Sequence, residues 1–178
     1  TLYEDHSGKF WVGTENGLNL FDQEKGNFRN FFHDPLDAYS LSQNDITAIY
    51  EDRSGNLWFG TKGGGINHYA QSKDRFRRYN YIPNDPNSIG APNVGAIVQD
   101  SNGAIWLGLY NGGLDRLDPV TGQIVHYRHE ANNPHSLIHD HVAALAINHR
   151  GILWIGTAVG LDRFDPVNEQ FVHYIHDP

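Results

Sequence analysis

Short apolar runs alternate with polar, glycine-rich segments along the whole chain. The clearest run is GNLWFGT at 55–61, and near-copies stand at 8–14, 103–109 and 151–157. Each copy places apolar residues side by side, as in Leu57, Trp58 and Phe59, where a strand with one solvated face would alternate apolar and polar residues. The pattern predicts β-strands that are covered on both faces.

The copies are evenly spaced. The tryptophans of the four runs are Trp11, Trp58, Trp106 and Trp154, at steps of 47, 48 and 48 residues. A glycine keeps the same step at 8, 55, 103 and 151, and a serine recurs at 40, 88 and 136. A repeat of this length is typical of architectures in which each unit packs only on its neighbours.

The second unit divides into four predicted strands: ITAIYED (46–52), LWFGT (57–61), INHYA (66–70) and FRRYNY (76–81). Aromatic and β-branched residues fill them, and Gly, Asp, Asn and Ser fill the turns between them. Four-stranded antiparallel sheets that repeat and are covered on both faces predict an all-β fold, a β-propeller. Its four blades are predicted at 1–33, 46–81, 94–129 and 142–177.

The composition of the chain limits the kinds of function that it can have. The chain has 178 residues, no cysteine and a net charge of −8, so disulfide or thiol chemistry is excluded and a nucleic-acid partner is disfavoured. No apolar run reaches the roughly 20 residues of a membrane span, so we expect no membrane contact by this segment. Methionine is absent, even at position 1, and we expect the chain to be a fragment of a larger propeller.

The repeats also resemble a known family. The segments LWFGTKGGGIN and FRRYNYIPNDPNSI of unit two, and LWIGTAVGLDRFDP and FVHYIHDP of unit four, are similar to the two-component regulator propeller repeat. The resemblance implies a sensor in the periplasm, the extracytoplasmic part of an inner-membrane protein. Members of that family include hybrid histidine kinases that sense oligosaccharides and proteins with a diguanylate cyclase output.

The repeats disagree with one another at one end of the predicted blades. The turn after each second strand and the end of each inter-blade linker meet there, and rigid scaffolds concentrate binding groups on such loops. Directed hydrogen bonds and an aromatic platform are what a sugar requires, so we predict a small-molecule or oligosaccharide ligand. The candidate ligand-binding residues are Gln43, Asp45, Lys62, Asn93, Tyr110, Asn111, His139 and His141.

Other recurring residues are interpreted as structural. The tryptophans are expected in the core, and Asp5, Asp52 and Asp100 are expected to bond the backbone of their own turns. The histidines of the outer strands and linkers are expected on the surface; they are His126, His129, His173 and His176. The pair His139 and His141 lacks a third ligand at a fixed spacing, so neither a metal site nor a cofactor is predicted.

Two other functions stay open. Propeller lyases that open cyclic antibiotics use similar repeats with a catalytic histidine and a metal, for which the nearest residues here are His139, Asp140 and His141. No recognisable nucleophile–base set supports catalysis, so no catalytic residue is predicted. The third function is a protein-interaction scaffold.

The number of units also predicts an association. An open arc of four blades would expose the apolar faces of its two end blades, and exposed patches of that kind normally find a partner. We therefore expect a homodimer or other self-association through the open blade faces. The competing geometry is a closed ring of four blades.

Overall fold

Four antiparallel sheets make up the protein in a computed structural model, which describes residues 1–175. Each sheet is a meander of four consecutive strands, called a blade below. Blade 1 contains β1 (Leu2–Glu4), β2 (Phe10–Thr14), β3 (Gly17–Asp22) and β4 (Asn27–Phe31). Blade 2 contains β5 (Ile46–Glu51), β6 (Leu57–Thr61), β7 (Ile66–Ala70) and β8 (Arg75–Tyr79). Blade 3 contains β9 (Val94–Gln99), β10 (Ile105–Leu109), β11 (Gly113–Leu117) and β12 (Ile124–Tyr127). Blade 4 contains β13 (Val142–Ile147), β14 (Leu153–Thr157), β15 (Leu161–Asp165) and β16 (Gln170–Tyr174).

The all-β fold and the four four-stranded blades are confirmed, with small differences at strand ends. In blade 2 the fourth strand covers 75–79 and not 76–81, because its partner β7 begins at Ile66, which pairs with Tyr79. Gly65 has a φ of +75° and leaves the ladder, so Asn80 has no residue opposite it. The first strand ends at Glu51, since Asp52 opens the hairpin turn. The predicted last residues of blade 4, 176 and 177, lie outside the described residues.

The blades form an open arc. Sheet-to-sheet contacts join blade 1 to blade 2, blade 2 to blade 3 and blade 3 to blade 4, and within residues 1–175 no contact of similar extent joins blade 4 to blade 1. The core accordingly consists of three apolar clusters, one between each pair of successive blades. A closed ring of four would need a fourth interface, so the closed geometry does not describe this structure.

The burial of the second strands explains the apolar repeat. Every residue of β6 and β10, in the two inner blades, is buried. In β2 and β14, of the two end blades, buried and partly exposed residues alternate. The same sequence phrase is therefore covered on both faces only where a blade has two neighbours.

A hydrogen bond links each recurring aspartate to a tryptophan. The Oδ1 atom of Asp52 accepts hydrogen bonds from the backbone of Ser54 and Asn56 in its own turn, as predicted. Its Oδ2 atom accepts one from Trp58 Nε1 at 2.9 Å, which the sequence analysis missed. The pairs Asp5–Trp11 and Asp100–Trp106 repeat the geometry at 2.9 Å. Each carboxylate thus fixes both the hairpin turn and the buried indole.

The first strands line the inner side of the arc. Successive first strands contact each other, β5 with β9 and β9 with β13. The second glycine of the repeated phrase, which lies within the second strand, leaves room for this approach. A Cβ on Gly108, for example, would lie 2.8 Å from Val142 Cγ1 of the next blade. The candidate residues Asp45, Asn93 and His141 come directly before the first strands of blades 2, 3 and 4, so they lie on the inner side of the arc.

Candidate functional site

The candidate residues lie on a continuous strip that crosses three blades. In each blade a backbone bond joins the turn after the second strand to the residue before the first strand: Lys62 N to Asp45 O, Tyr110 N to Asn93 O, and Ala158 N to His141 O, at 2.9–3.1 Å. We call these six residues, Asp45, Lys62, Asn93, Tyr110, His141 and Ala158, the rim strip. The repeated fold thus places its non-repeated side chains side by side.

Lys62 connects the rim-strip residues of blade 2 to those of blade 3. It forms an isolated antiparallel bridge with Asn93 of the next blade, and its Nζ lies 3.8 Å from Asp45 Oδ2. The lysine side chain is 72% exposed and the Asp45 side chain 28%. An ion pair so open to water contributes little to stability, which leaves both groups free to exchange partners with a ligand.

Tyr110 carries the strip from blade 3 to blade 4. Its ring stacks on His141 with centroids 4.7 Å apart and planes within 7°. The tyrosine ring also lies over the backbone of Gly95, where a Cβ would meet Tyr110 Cε1 at 2.6 Å. Both rings are only partly buried, so the stack offers a pre-positioned aromatic surface near the centre of the arc.

Three other predicted residues flank the strip and have local roles. Asn111 has a φ of +61°, a conformation that asparagine tolerates well, so turn geometry accounts for it. Gln43 Oε1 accepts a bond from the N–H of its neighbour Asn44 at 2.9 Å. His139 Nδ1 accepts one from His141 N at 2.9 Å, so this nitrogen is not available for an ion shared with His141.

No group of three His, Asp or Glu side chains within 1–175 is arranged to hold a metal ion. Asp140, part of the lyase-like set, is occupied in another way. Its Oδ1 accepts a bond from His129 N at 2.7 Å and its carbonyl accepts one from Gly113 N at 2.8 Å. Asp140 thus holds the linker in place.

Buried polar side chains tether the linkers that carry the strip, and the sequence analysis did not select them. Asn67, Asp115 and Asp162 are fully buried. They accept bonds from the backbone N–H of Ser42, Gly90 and Ile138, at 2.7–2.8 Å. Each tethered residue precedes a rim-strip residue by three positions. The signal was the Asn or Asp that follows Gly-Leu or Gly-Ile in every unit.

Two histidines expected on the surface bind these tethers instead. His126 and His173 bond Asp115 and Asp162 through Nδ1 at 2.7 and 2.6 Å. Their Nε2 atoms face the carbonyls of Pro86 and Pro134 at 3.0 and 2.8 Å. The bond to Asp115 raises the pKa of His126. Burial acts to lower the pKa of His173, but its bond to Asp162 and its other contacts outweigh this, and the pKa is raised.

The recurring serines close the linker loops. Ser88 Oγ accepts a bond from Ile82 N at 3.0 Å and donates to carbonyls of the same loop, and Ser40 and Ser136 make the same six-residue closure. The residues after these serines, Leu41, Ile89 and Leu137, are fully buried between blades. The linkers are therefore rigid supports for the rim strip.

A concave region lies at the end of the blades opposite the rim strip, on the turns between first and second strands. It has a volume of about 370 Å³ and is lined by His6 and residues 51–55. His6 of blade 1 bonds Glu51 of blade 2 there, and this bond raises the pKa of His6. The contact joins two neighbouring turns, and we interpret it as a link between blades.

Comparison with known proteins finds a family model that matches two segments of the chain. Residues 40–63 and 88–111 match the model of the two component regulator propeller. Both matches begin at the loop-closing serine and end in the rim turn, so they contain the tethered linker, the first strand and the repeated phrase. The resemblance seen in the sequence is confirmed.

Solved structures support the same conclusion. The extracellular domain of BT3049 from B. thetaiotaomicron, described as a hybrid two component system, is 26% identical with a TM-score of 0.85 over 98% of this chain and 24% of that one. The corresponding domain of BT4673 is 22% identical with a TM-score of 0.54, covering 99% of this chain and 30% of that one. Virginiamycin B lyase from Staphylococcus aureus is 17% identical with a TM-score of 0.72, covering 98% and 54%.

The chain thus spans about a quarter to a third of the length of these two extracellular domains. The BT4673 domain and the lyase, at 22% and 17% identity, are similar in fold alone. A search of curated proteins gave no match. Residues 1–175 contain no helix that is long and apolar enough to cross a bilayer.

Proposed function

Because the chain carries two-component regulator propeller repeats, we propose that it belongs to the periplasmic sensor region of a membrane-bound signalling protein and binds an oligosaccharide. A sensor-type role is supported by the likeness to extracellular domains of hybrid two component systems. The ligand class, the periplasmic location and a histidine kinase or cyclase output are parts of the proposal.

The rim strip is the observation that carries the ligand class. The Tyr110–His141 stack provides a flat aromatic surface, and sugars pack the C–H groups of a pyranose ring against such surfaces. Lys62, Asp45 and Asn93 continue the strip with donors and acceptors for hydroxyl groups. The strip extends over three blades, which suits an extended chain of sugar units better than a single one.

The strip also suggests how binding would be transmitted. Lys62–Asn93 and Tyr110–His141 each join two neighbouring blades, so a ligand bound along the strip would contact three blades at once. A ligand that binds one blade arrangement better than another shifts the population toward it. The proposed signal is therefore a change in blade packing that a membrane-spanning output detects.

A sugar-binding screen with a matched variant tests the proposal. Thermal shift against a panel of oligosaccharides, followed by calorimetric titration of each hit, measures affinity. We expect Tyr110→Ala to weaken binding by about tenfold or more, because one aromatic stacking surface is lost. Tyr81→Ala, at an exposed tyrosine of the linker between blades 2 and 3, is the control and should bind like the parent chain. Failure of every oligosaccharide to bind, or equal loss in both variants, would contradict the proposal.

The alternatives predict other results. A lyase would need His139, Asp140 and His141 to hold a divalent ion, whereas the structure engages His139 Nδ1 and Asp140 Oδ1 internally. Calorimetric titration with Mg²⁺ tests this, and tight binding lost in His141→Ala would favour the enzyme. A protein-interaction scaffold would bind neither sugar nor metal.

A further inference from the structure

Two of the linkers that carry the rim strip are each held at two points by an aspartate and a histidine. In blade 3, Asp115 Oδ2 accepts a bond from Gly90 N at 2.7 Å. His126 bonds Asp115 through Nδ1 and faces the carbonyl of Pro86 through Nε2, at 2.7 and 3.0 Å. Asp162 and His173 of blade 4 hold residues 134 and 138 in the same way. We call these two aspartate–histidine pairs the clamps.

Each clamp is complete only when its histidine carries two protons. The ring of His173 lies between the Asp162 carboxylate and the Pro134 carbonyl, which are both acceptors, and a neutral imidazole has a single N–H to donate. Loss of a proton would therefore direct a nitrogen lone pair at one of these oxygens. Burial acts to lower the pKa of His173, but its bond to Asp162 helps to raise it, and the pKa of His126 is raised by its bond to Asp115.

Other charged groups face the clamp of blade 3. The Nη1 atom of Arg128 donates a bond to Asp115 Oδ1 at 3.0 Å, and its Nη2 lies 3.3 Å from His126 Nδ1. This guanidinium opposes protonation of His126, but it also keeps Asp115 paired when the ring is neutral. Asp85 lines the cavity of about 260 Å³ beside the ring. The clamp of blade 3 is therefore only partly dependent on its histidine.

The clamp of blade 4 depends more strongly on its histidine. Within residues 1–175, His173 is the side chain that pairs with Asp162, and no arginine bonds this carboxylate. His129 and Glu130 line the cavity of about 280 Å³ beside His173. His129 Nδ1 donates a bond to Leu137 O at 2.9 Å, which a neutral ring can do. Deprotonation of His173 thus removes the positive charge that faces Asp162.

The clamped segments end close to the rim strip. Gly90 and Ile138 each precede a rim-strip residue, Asn93 and His141, by three positions. The carbonyl of Asn93 accepts a bond from Tyr110 N, and the His141 ring stacks on Tyr110. A shift of either segment would therefore reach the aromatic stack. The tether of blade 2 differs, because the neutral side chain of Asn67 holds Ser42 N.

We propose that the two clamps make the rim strip sensitive to pH, so that it keeps its ligand-binding arrangement while both rings are doubly protonated and binds an oligosaccharide more weakly after they lose a proton. This inference rests on the proposed function and adds a regulation to it. The rings are about a quarter exposed, so we expect a coupling at the low end of the usual range, about fivefold in affinity between pH 5.5 and 8.5.

Nuclear magnetic resonance of the ligand-free chain tests the switch without a sugar. The amide signals of the clamped residues and of the rim strip should shift with the midpoints of the His126 and His173 ring signals, whereas the amide of Ser42 should not. His141 is itself titratable, so the contribution of the clamps is the part that the double variant His126→Gln with His173→Gln removes. Rim-strip signals that titrate alike in the parent and in the double variant would overturn the proposal.

Calorimetric titration with cellohexaose, maltohexaose and xylohexaose measures the effect on binding. The parent should bind the hexaose that it selects about fivefold more weakly at pH 8.5 than at pH 5.5, and the double variant should show a smaller difference. His173→Gln alone should reduce the difference more than His126→Gln alone, because Arg128 keeps Asp115 paired. His135→Gln, at an exposed linker histidine, is the control and should behave like the parent.

The outcomes separate this inference from the proposed function. A hexaose that the parent binds equally well at both pH values would overturn the switch and leave the proposed function standing, and so would an equal pH dependence in the parent and the double variant. Failure of all three hexaoses to bind, with rim-strip signals that follow the clamps, would contradict oligosaccharide binding and therefore its regulation, and would leave only a pH-dependent arrangement of the rim strip.

Discussion

At the scale of single residues, the fourfold repeat provides its own natural variant. Blades 1 to 3 have an aspartate that accepts a bond from the tryptophan Nε1, whereas blade 4 has Asn148 at the equivalent position. Asn148 Oδ1 still accepts bonds from Arg150 N and Ile152 N, at 3.0 and 3.1 Å. Its amide nitrogen is a donor, so it has no second acceptor to offer Trp154. The turn is kept and the bond to the indole is not.

Exchanging these two residue types should therefore change stability in opposite directions. Asp52→Asn keeps an acceptor for the turn but leaves the buried Trp58 N–H without one, and we expect a loss of about 1–3 kcal/mol. Asn148→Asp supplies the missing acceptor in blade 4. Since Trp154 is partly exposed, the expected gain is smaller, up to about 1 kcal/mol. Urea denaturation followed by tryptophan fluorescence measures both.

Asp118→Asn is the control for this pair. Asp118 Oδ1 accepts both turn bonds, from Val120 N and Thr121 N, and an asparagine oxygen can replace it. The change removes one negative charge, as Asp52→Asn does, without involving a tryptophan. Equal losses in Asp52→Asn and Asp118→Asn would contradict the role given to the indole bond.

At the scale of strands and linkers, the polar tethers decide where the rim strip lies, and two of them contain a titrating group. His173 faces Asp162 Oδ1 through one ring nitrogen and the carbonyl of Pro134 through the other. Both neighbours are acceptors, so only the doubly protonated ring satisfies both. His126 has the same arrangement, although the positive charge of nearby Arg128 acts to lower its pKa. In blade 2, Arg78 stands opposite Asn67 instead and donates hydrogen bonds to linker carbonyls.

The tethers of blades 3 and 4 should therefore weaken as pH rises. Because the folded-state pKa of both histidines is raised above the unfolded value of about 6.5, their contribution to stability is fully present below that pH. It is lost as pH rises through the folded-state pKa. The rings are about a quarter exposed, so we expect only about 0.5–1 kcal/mol for each tether. Chemical denaturation between pH 5.5 and 9 measures it.

A double variant separates this effect from other titrations. His126→Gln with His173→Gln should reduce the loss of stability above pH 6.5, and the loss that remains includes the exposed His6–Glu51 contact, since the pKa of His6 is also raised. His135→Gln, at an exposed linker histidine, should leave the pH profile unchanged. A double variant with the profile of the parent would show that the tethers do not titrate as argued.

The limits of sequence interpretation are also clearest at this scale. The strands LWFGT and INHYA were predicted with their observed bounds, because burial on two faces leaves a direct apolar signal. The tethers left only a recurring Asn or Asp after Gly-Leu or Gly-Ile, and the sequence alone does not show that such a side chain faces the backbone N–H of a distant linker rather than its own turn. The candidate residues were selected because they differ from one repeat to the next, and their role as a binding site stays a prediction. That Tyr110 stacks on His141 depends on how two blades meet, which no local pattern contains.

At the scale of the whole molecule, the second glycine of the repeated phrase, Gly60 in blade 2 and Gly108 in blade 3, determines how closely the next blade can approach. A Cβ on Gly60 would lie 3.2 Å from Ala48 Cβ of its own blade. The corresponding distances are 3.3 Å from Gly108 to Ala96 and 3.2 Å from Gly156 to Ala144. The difference lies across the interface. Gly108 would also meet Val142 Cγ1 of the next blade at 2.8 Å, whereas the three atoms nearest to a Cβ on Gly156 all belong to Ala144 of its own blade. The same Gly→Ala substitution can thus be compared at Gly108, which faces the next blade, and at Gly156, whose nearest neighbours lie in its own blade.

Gly108→Ala should destabilise the chain by about 1–3 kcal/mol, because Val142 is buried and β-branched and cannot move aside without displacing β13. For Gly156→Ala the nearest atoms are those of the equivalent alanine within its blade, Ala144, so we expect a change of less than about 0.5 kcal/mol in dilute solution. Thermal denaturation at low protein concentration compares the two. Equal destabilisation of the dilute monomer by both substitutions would mean that contacts within each blade, and not the approach of the next one, require the glycine.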